Sequence, residues 1–225
     1  MIISGRHKLD INRSNDSTSY KVGFHRDALL LIIAGHKKLT ENTIDYSNEE
    51  EPNITGELVR CANEYIDSTS SPTWTSFYDV RDESPENTKK RLGKDRKKVD
   101  IVCTRTGTKP RSRIKFEAKR LKRPGFTVGI YAGKEGLGEF ISGNYAPECD
   151  IAGMLGYIQS DNCDYWAEQI PEALNKKKEE VCLIKGGQWR KANLENINNC
   201  YETRHNRPIV RRELLVYHLL LDLAR

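Results

Sequence analysis

No apolar run in this sequence approaches the roughly 20 residues that a bilayer-spanning helix needs. The stretch 29–34 is long enough only for a core segment. Residues 1–6 lack the charged-then-apolar pattern of a secretory signal. Cysteines stand at 61, 103, 149, 163, 182 and 200, but no Cys-x-x-Cys pair occurs. That scatter suits neither a zinc knuckle nor a compact disulfide framework. Together these absences predict a cytoplasmic protein with reduced thiols and no membrane partner. A phosphate loop is missing as well. Gly129-x-x-x-Gly133-Lys134 has too short a gap and no Ser or Thr after its lysine, which rules out that nucleotide-binding reading.

Charge, by contrast, is abundant. Of 225 residues, 31% are charged and 37% hydrophobic, and the net charge is +5. A modest core under a charged surface predicts one α/β domain over 1–225, with an N-terminal helical segment over about 1–52 and a core over about 53–225. The positive charge is concentrated. Lys89, Lys90, Arg91, Lys94, Arg96, Lys97 and Lys98 are set against Asp95 alone, and Arg105, Lys109, Arg111, Arg113, Lys115, Lys119, Arg120, Lys122 and Arg123 follow. Such clusters neutralise phosphates and give sequence-independent affinity for nucleic acid. For 89–98 taken alone, a solvated basic loop is the better account.

Two acids stand inside this basic surround. Lys98-Val99-Asp100-Ile101-Val102-Cys103 and Ile114-Lys115-Phe116-Glu117-Ala118-Lys119 read as the strands of a β-hairpin turning near Gly107 and Pro110. Alternation puts Val99, Ile101, Cys103, Ile114, Phe116 and Ala118 on one face, all apolar. The other face carries Asp100, Val102, Thr104, Arg113, Lys115, Glu117 and Lys119. A symmetric register sets Asp100 opposite Glu117, where like charges repel. A shared proton, the Lys119 ammonium or a divalent cation would relieve that repulsion. Mg²⁺ suits such a pair, because it takes oxygen ligands at about 2.0–2.1 Å and keeps several waters. An ordinary hairpin surface of mixed charge would show the same pattern.

Asp100 followed by Glu117-Ala118-Lys119 resembles the core motif of the PD-(D/E)XK nuclease superfamily, whose fold is restriction-endonuclease-like. The resemblance implies a mixed central β-sheet flanked by α-helices in α-β-β-β-α-β order. It also implies Mg²⁺-dependent hydrolysis of DNA phosphodiester bonds, with Mn²⁺ able to substitute. By position, Asp100 and Glu117 would hold the metal, the Ala118 backbone carbonyl would add a ligand, and Lys119 would position or activate water. The family often draws a further acid from a helix before the first core strand; Glu57 is the best match, with Glu64 in reserve. The sequence departs from the pattern at Val99, where the name-giving proline would stand. An effector of a prokaryotic anti-phage defence or restriction system is compatible with the resemblance.

Around this site Lys97, Lys98, Arg113, Lys115, Arg120, Lys122 and Arg123 are expected to meet nucleic-acid phosphates. His205 and Arg207 are expected to join them, because alternation along a strand over 200–208 puts Tyr201, Thr203, His205 and Arg207 on one polar face. An edge strand with solvated side chains fits that segment equally well. DNA is the expected partner, with RNA left open. No zinc-finger or helix-turn-helix pattern is visible, so a homo-oligomer or a partner protein is expected to supply activation or target selection. The alternative is a catalytically silent nucleic-acid-binding or assembly subunit with the same fold.

Elsewhere, apolar spacing predicts a helix over 24–39 and another from a Thr55 N-cap to Ile66, with 41–52 a polar loop between them. A first strand is expected over 74–80, a mobile glycine-rich loop over 124–143 and a helix over 150–159. A further helix over 165–178 and a short strand over 180–184 follow. The apolar segment 212–223 is expected to dock on the sheet, with His218 a satisfied core residue.

Overall fold

The computed structural model describes residues 13–86, 96–107 and 109–224, with side chains from residue 23 onward. Its strands are β1 (Tyr78–Pro85), β2 (Lys98–Arg105), β3 (Arg113–Leu121), β4 (Ile151–Ile158), β5 (Arg190–Lys191), β6 (Cys200–Arg207) and β7 (Arg212–Asp222). They form one seven-stranded mixed sheet in the order β1-β2-β3-β4-β7-β6-β5. The first three strands run antiparallel in sequence order, β3, β4 and β7 are mutually parallel, and β6 and β5 return antiparallel. The hairpin register is the symmetric one: Ile101 pairs Phe116, Val102 pairs Lys115, Cys103 pairs Ile114 and Thr104 pairs Arg113.

Helices cover both faces. On one side lie α1 (Arg13–Glu41) and α2 (Glu51–Ile66), whose Ala28, Leu29, Ile32, Ile54 and Leu58 pack with Ile101, Cys103, Phe116 and Ala118 of the sheet. Their crossing is close because Gly35 lacks a side chain: a Cβ there would lie 2.8 Å from the Leu58 carbonyl. On the other side α3 (Val128–Tyr131), α4 (Leu137–Ile141) and α5 (Cys163–Lys176) pack with Val102, Met154, Val216 and Leu220. Val99 joins this second core and not the Ile101 side that strict alternation gives it. Among the described residues no helix is long and apolar enough to cross a membrane.

The segment expected to be a helix over 150–159 is β4. Its run Ile-Ala-Gly-Met-Leu-Gly-Tyr-Ile satisfies helical spacing, but a short continuous apolar run is also what a doubly covered parallel strand looks like. Six of its eight residues pair with β3 and all eight with β7. Gly153 makes the pairing geometry feasible, since a Cβ there would lie 2.1 Å from the Phe116 ring. The segment 212–223, expected to dock on the sheet, is the interior strand β7.

Other expectations are also corrected. The first strand starts at Tyr78, and Thr73–Phe77 is a 3₁₀ turn. The 124–143 stretch is no open loop: it folds into α3 and α4, with Tyr131, Leu137 and Phe140 fully buried. Residues 180–184 form turns joined to β6 by a single Leu183–His205 bridge. Helix α2 starts at Glu51 and carries Pro52 in its first turn, where a missing N–H costs nothing. Thr55 is therefore inside the helix, its hydroxyl 3.0 Å from the Tyr157 hydroxyl. A boundary at 52/53 would cut this helix near its start.

Candidate functional site

Asp100 lies on β2 and Glu117 on β3, one step beyond the last registered pair, Ile101 with Phe116. There the Asp100 carboxylate accepts the Ala118 backbone N–H at 2.7 Å. Burial, then the Asp100 charge, pushes the Glu117 carboxyl up to about 9; burial likewise raises Asp100. Two carboxyls this close cannot both ionise cheaply, and one retained proton is the expected outcome.

Lys119 completes the group. Its ammonium lies 2.8 Å from Glu117 Oε1, 2.9 Å from Glu51 Oε1 and 2.6 Å from the Ala118 carbonyl. Burial alone would depress this lysine, but Glu117, Glu51 and Asp100 together hold it above its ordinary value. Glu117 is 3% exposed and Lys119 9%. The other Glu51 oxygen accepts the Arg120 backbone N–H at 3.2 Å.

The acid that α2 brings to this site is thus Glu51. Glu57, the sequence choice, is ion-paired with Arg60 on the helix surface, and Glu64 pairs with Arg60 and Lys38. The sequence held a signal for Glu51: an acid directly before a proline is a helix-start pattern. The expected polar loop is the segment that delivers it. Gln159 at the end of β4 donates its amide to the carbonyls of Tyr46 (2.6 Å) and Glu49 (2.9 Å). Arg120 reaches Glu49 O and Glu50, and Lys122 reaches Ser47 O, so 46–51 is tied to the ends of β3 and β4.

The residues expected to bind phosphates divide sharply. Lys97 pairs with Glu139 and Lys98 with Glu83; Lys115 is buried between Glu86 (3.0 Å) and Glu148 (2.8 Å). Arg123 pairs with Asp161, and Arg120 stacks 3.7 Å from the Phe126 ring. Arg113 is exposed, with no ion-pair partner among the described residues. Lys89, Lys90, Arg91 and Lys94 lie outside the described residues.

His205 and Arg207 are corrections. Both are 0% exposed, because β6 lies inside the sheet and the polar face of that strand turns inward. The Arg207 guanidinium donates to the carbonyls of Ala146 (2.9 Å) and Cys149. His205 Nδ1 lies 2.7 Å from the Val181 carbonyl, which can only accept, so that nitrogen carries the hydrogen. The Thr203 hydroxyl must then donate to His205 Nε2 (2.6 Å) and accept from His218 Nε2 (2.7 Å). Tyr131 in turn donates to His218 Nδ1 at 3.0 Å. The two histidines, Thr203 and Tyr131 are thus satisfied within the core, His218 as expected, whereas Arg207 Nε is buried with no hydrogen-bond partner among the described residues.

The oxygen donors around Lys119 form a set that a hard cation prefers. Two carboxylates and the Ala118 carbonyl converge there, and Glu117 Oε2 is buried with no hydrogen-bond partner among the described residues. This set fits Mg²⁺ by donor chemistry. Among the described residues no three His, Cys, Asp or Glu side chains gather into a complete metal cage, so carbonyl, water or substrate oxygens would have to finish the shell. No protein-family model, curated protein or solved structure matches the chain.

Proposed function

We propose that this chain is a metal-dependent deoxyribonuclease with a restriction-endonuclease-like core, related to the PD-(D/E)XK superfamily. The reading rests on one observation. An Asp100–Glu117 carboxyl pair on adjacent strands stands beside a lysine held by Glu117, Glu51 and the Ala118 carbonyl. The element order α2-β1-β2-β3-(α3, α4)-β4 is in keeping with it. Asp100, Glu117 and the Ala118 carbonyl would hold Mg²⁺, with Glu51 as the additional acid. Bound there, the metal would supply Lewis-acid polarisation of a phosphate oxygen and a more acidic water.

The chain's own residues have distinct tasks in this reading. Asp100 fixes the β3 backbone through the Ala118 N–H, which sets the direction of the Ala118 carbonyl. Lys119 carries positive charge into a buried acidic site; its three N–H donors face Glu117, Glu51 and the Ala118 carbonyl, so one of these partners would have to yield for it to orient the attacking water. Glu51 holds that ammonium in place and, through Arg120 N–H, locks the start of α2 to β3. A prokaryotic defence or restriction role, with a partner or second copy selecting the target, belongs to the same proposal.

One observation favours a second reading, a nucleic-acid-binding or assembly subunit without turnover. Glu117 and Lys119 are nearly inaccessible, as in a purely structural ion cluster. Plasmid nicking with Mg²⁺, Mn²⁺ or EDTA separates the two. Metal-dependent cutting that is lost in both Lys119→Ala and Glu117→Ala supports the nuclease. Binding without cutting under every metal condition supports the silent subunit, and no binding at all removes both.

A further inference from the structure

The sheet face that carries Asp100 and Glu117 continues into a cleft of about 320 Å³. This is at the lower end of the roughly 300–1,000 Å³ range typical of ligand sites. Val102 and Thr104 of β2, which alternate in step with Asp100, line its floor, and Arg113 and Lys115 of β3, in step with Glu117, line its side. Arg81 and Arg111 complete its basic wall.

These cations are not equivalent. Lys115 is neutralised by Glu86 and Glu148, and Arg81 by Asp79 at 2.7 Å. Arg111 and Arg113 are exposed and have neither an ion-pair nor a side-chain hydrogen-bond partner among the described residues. They are two residues apart on the chain and open onto the same cleft. Two unengaged guanidinium forks at one opening match the bidentate geometry of phosphate oxygens. Asp79 is paired with Arg81, and Glu86 and Glu148 share Lys115, so with Arg111 and Arg113 the lining carries four cations against three acids.

Position along the strand fixes the relation to the carboxylate pair. Four residues of β3 separate Arg113 from Glu117, about 13 Å at 3.3 Å per residue. We propose that Arg111 and Arg113 form a phosphate subsite that grips the nucleic-acid backbone at a point about 13 Å along β3 from the Asp100–Glu117 pair. The inference rests on the nucleic-acid reading above for its polymer, but the grip itself requires no turnover.

Fluorescence anisotropy of the full chain with labelled duplex and single-stranded oligonucleotides, in EDTA and over a salt series, tests it. Arg111→Gln with Arg113→Gln should weaken binding about tenfold or more at low salt. It should also lower the log–log salt slope by about 1–2, the loss of one or two phosphate contacts. Lys37→Gln with Lys178→Gln, a charge-matched change of exposed lysines elsewhere, should leave the slope near that of the wild type. Arg111→Lys with Arg113→Lys should keep most of the slope while losing part of the affinity, which also guards against a misfolded Gln variant. If the arginine and lysine pairs weaken binding equally, the subsite is overturned and the nuclease reading stands. If the wild type binds neither oligonucleotide, both fall.

Discussion

Glu51 and Lys119 lie 68 positions apart in the chain, and their side chains meet at 2.9 Å. Glu51 is the first residue of α2 and Lys119 is near the end of β3. The contact ties the helix layer to the candidate site and gives that site a third carboxylate. Glu57, one and a half turns along the same helix, faces Arg60 instead.

The two glutamates therefore predict different outcomes. Glu51→Gln should reduce metal-dependent plasmid nicking by roughly 10–100-fold, the usual effect of removing a group that orients a metal-site residue. Glu57→Gln should leave the initial rate within about threefold, because an exposed helix pair contributes little. Equal losses in the two variants would remove Glu51 from the site.

Gly153 predicts a stability effect. A methyl group placed there would overlap the Phe116 ring, and overpacking of this kind costs about 1–3 kcal/mol. Gly153→Ala should lower the urea midpoint, and adding Phe116→Leu should recover part of the loss. An unchanged midpoint in the single variant would mean that β3 and β4 are not packed as described.

The buried histidines predict an acid-side loss of stability. Burial depresses His205 to about 4 and drives His218 well below its ordinary value. Well above pH 6.5 both are neutral whether folded or unfolded, and their hydrogen-bonded chain is intact. As pH falls from 6.5 toward 4, the unfolded chain takes up protons that the folded core refuses, so stability drops. For His205 this amounts to roughly 3 kcal/mol across the window. Denaturation midpoints at pH 7, 5.5 and 4.5 should fall less steeply in His205→Gln than in the wild type. Parallel slopes would contradict the assignment.

Arg207 predicts a separation of stability from binding. Its guanidinium holds two loop carbonyls next to Glu148, which in turn pairs with Lys115. Arg207→Ala should cost about 3 kcal/mol, since buried bonds to a charged group are lost and acceptors are left unmade. Oligonucleotide affinity per folded molecule should stay within about twofold. A selective loss of affinity with unchanged stability would return Arg207 to the nucleic-acid surface.

Much of the centre was legible in the sequence because it depends on local rules. The β2–β3 hairpin, its register, the apolar Ile101–Phe116 side and the grouping of Asp100, Glu117 and Lys119 follow from alternation and a turn. These are properties of a few neighbouring residues. Helices α1 and α5 were equally readable, since their apolar residues recur at helical spacing over several turns.

What the sequence left open was decided by neighbours distant in the chain. The run at 151–158 has an apolar pattern that suits helix or strand, and only insertion between β3 and β7 makes it a strand. The polar residues of β6 look like a solvated edge until α3, α4 and the 180–184 turns cover that face and bind them internally. Most of the cations read as a phosphate surface are neutralised by acids from other segments, which charge counting along the chain cannot reveal. By itself, the sequence determined which residues could form the acid–lysine group, because strand periodicity is local. The tertiary structure decided which helix acid joins it and which arginines remain unpaired, because those depend on contacts across tens of residues.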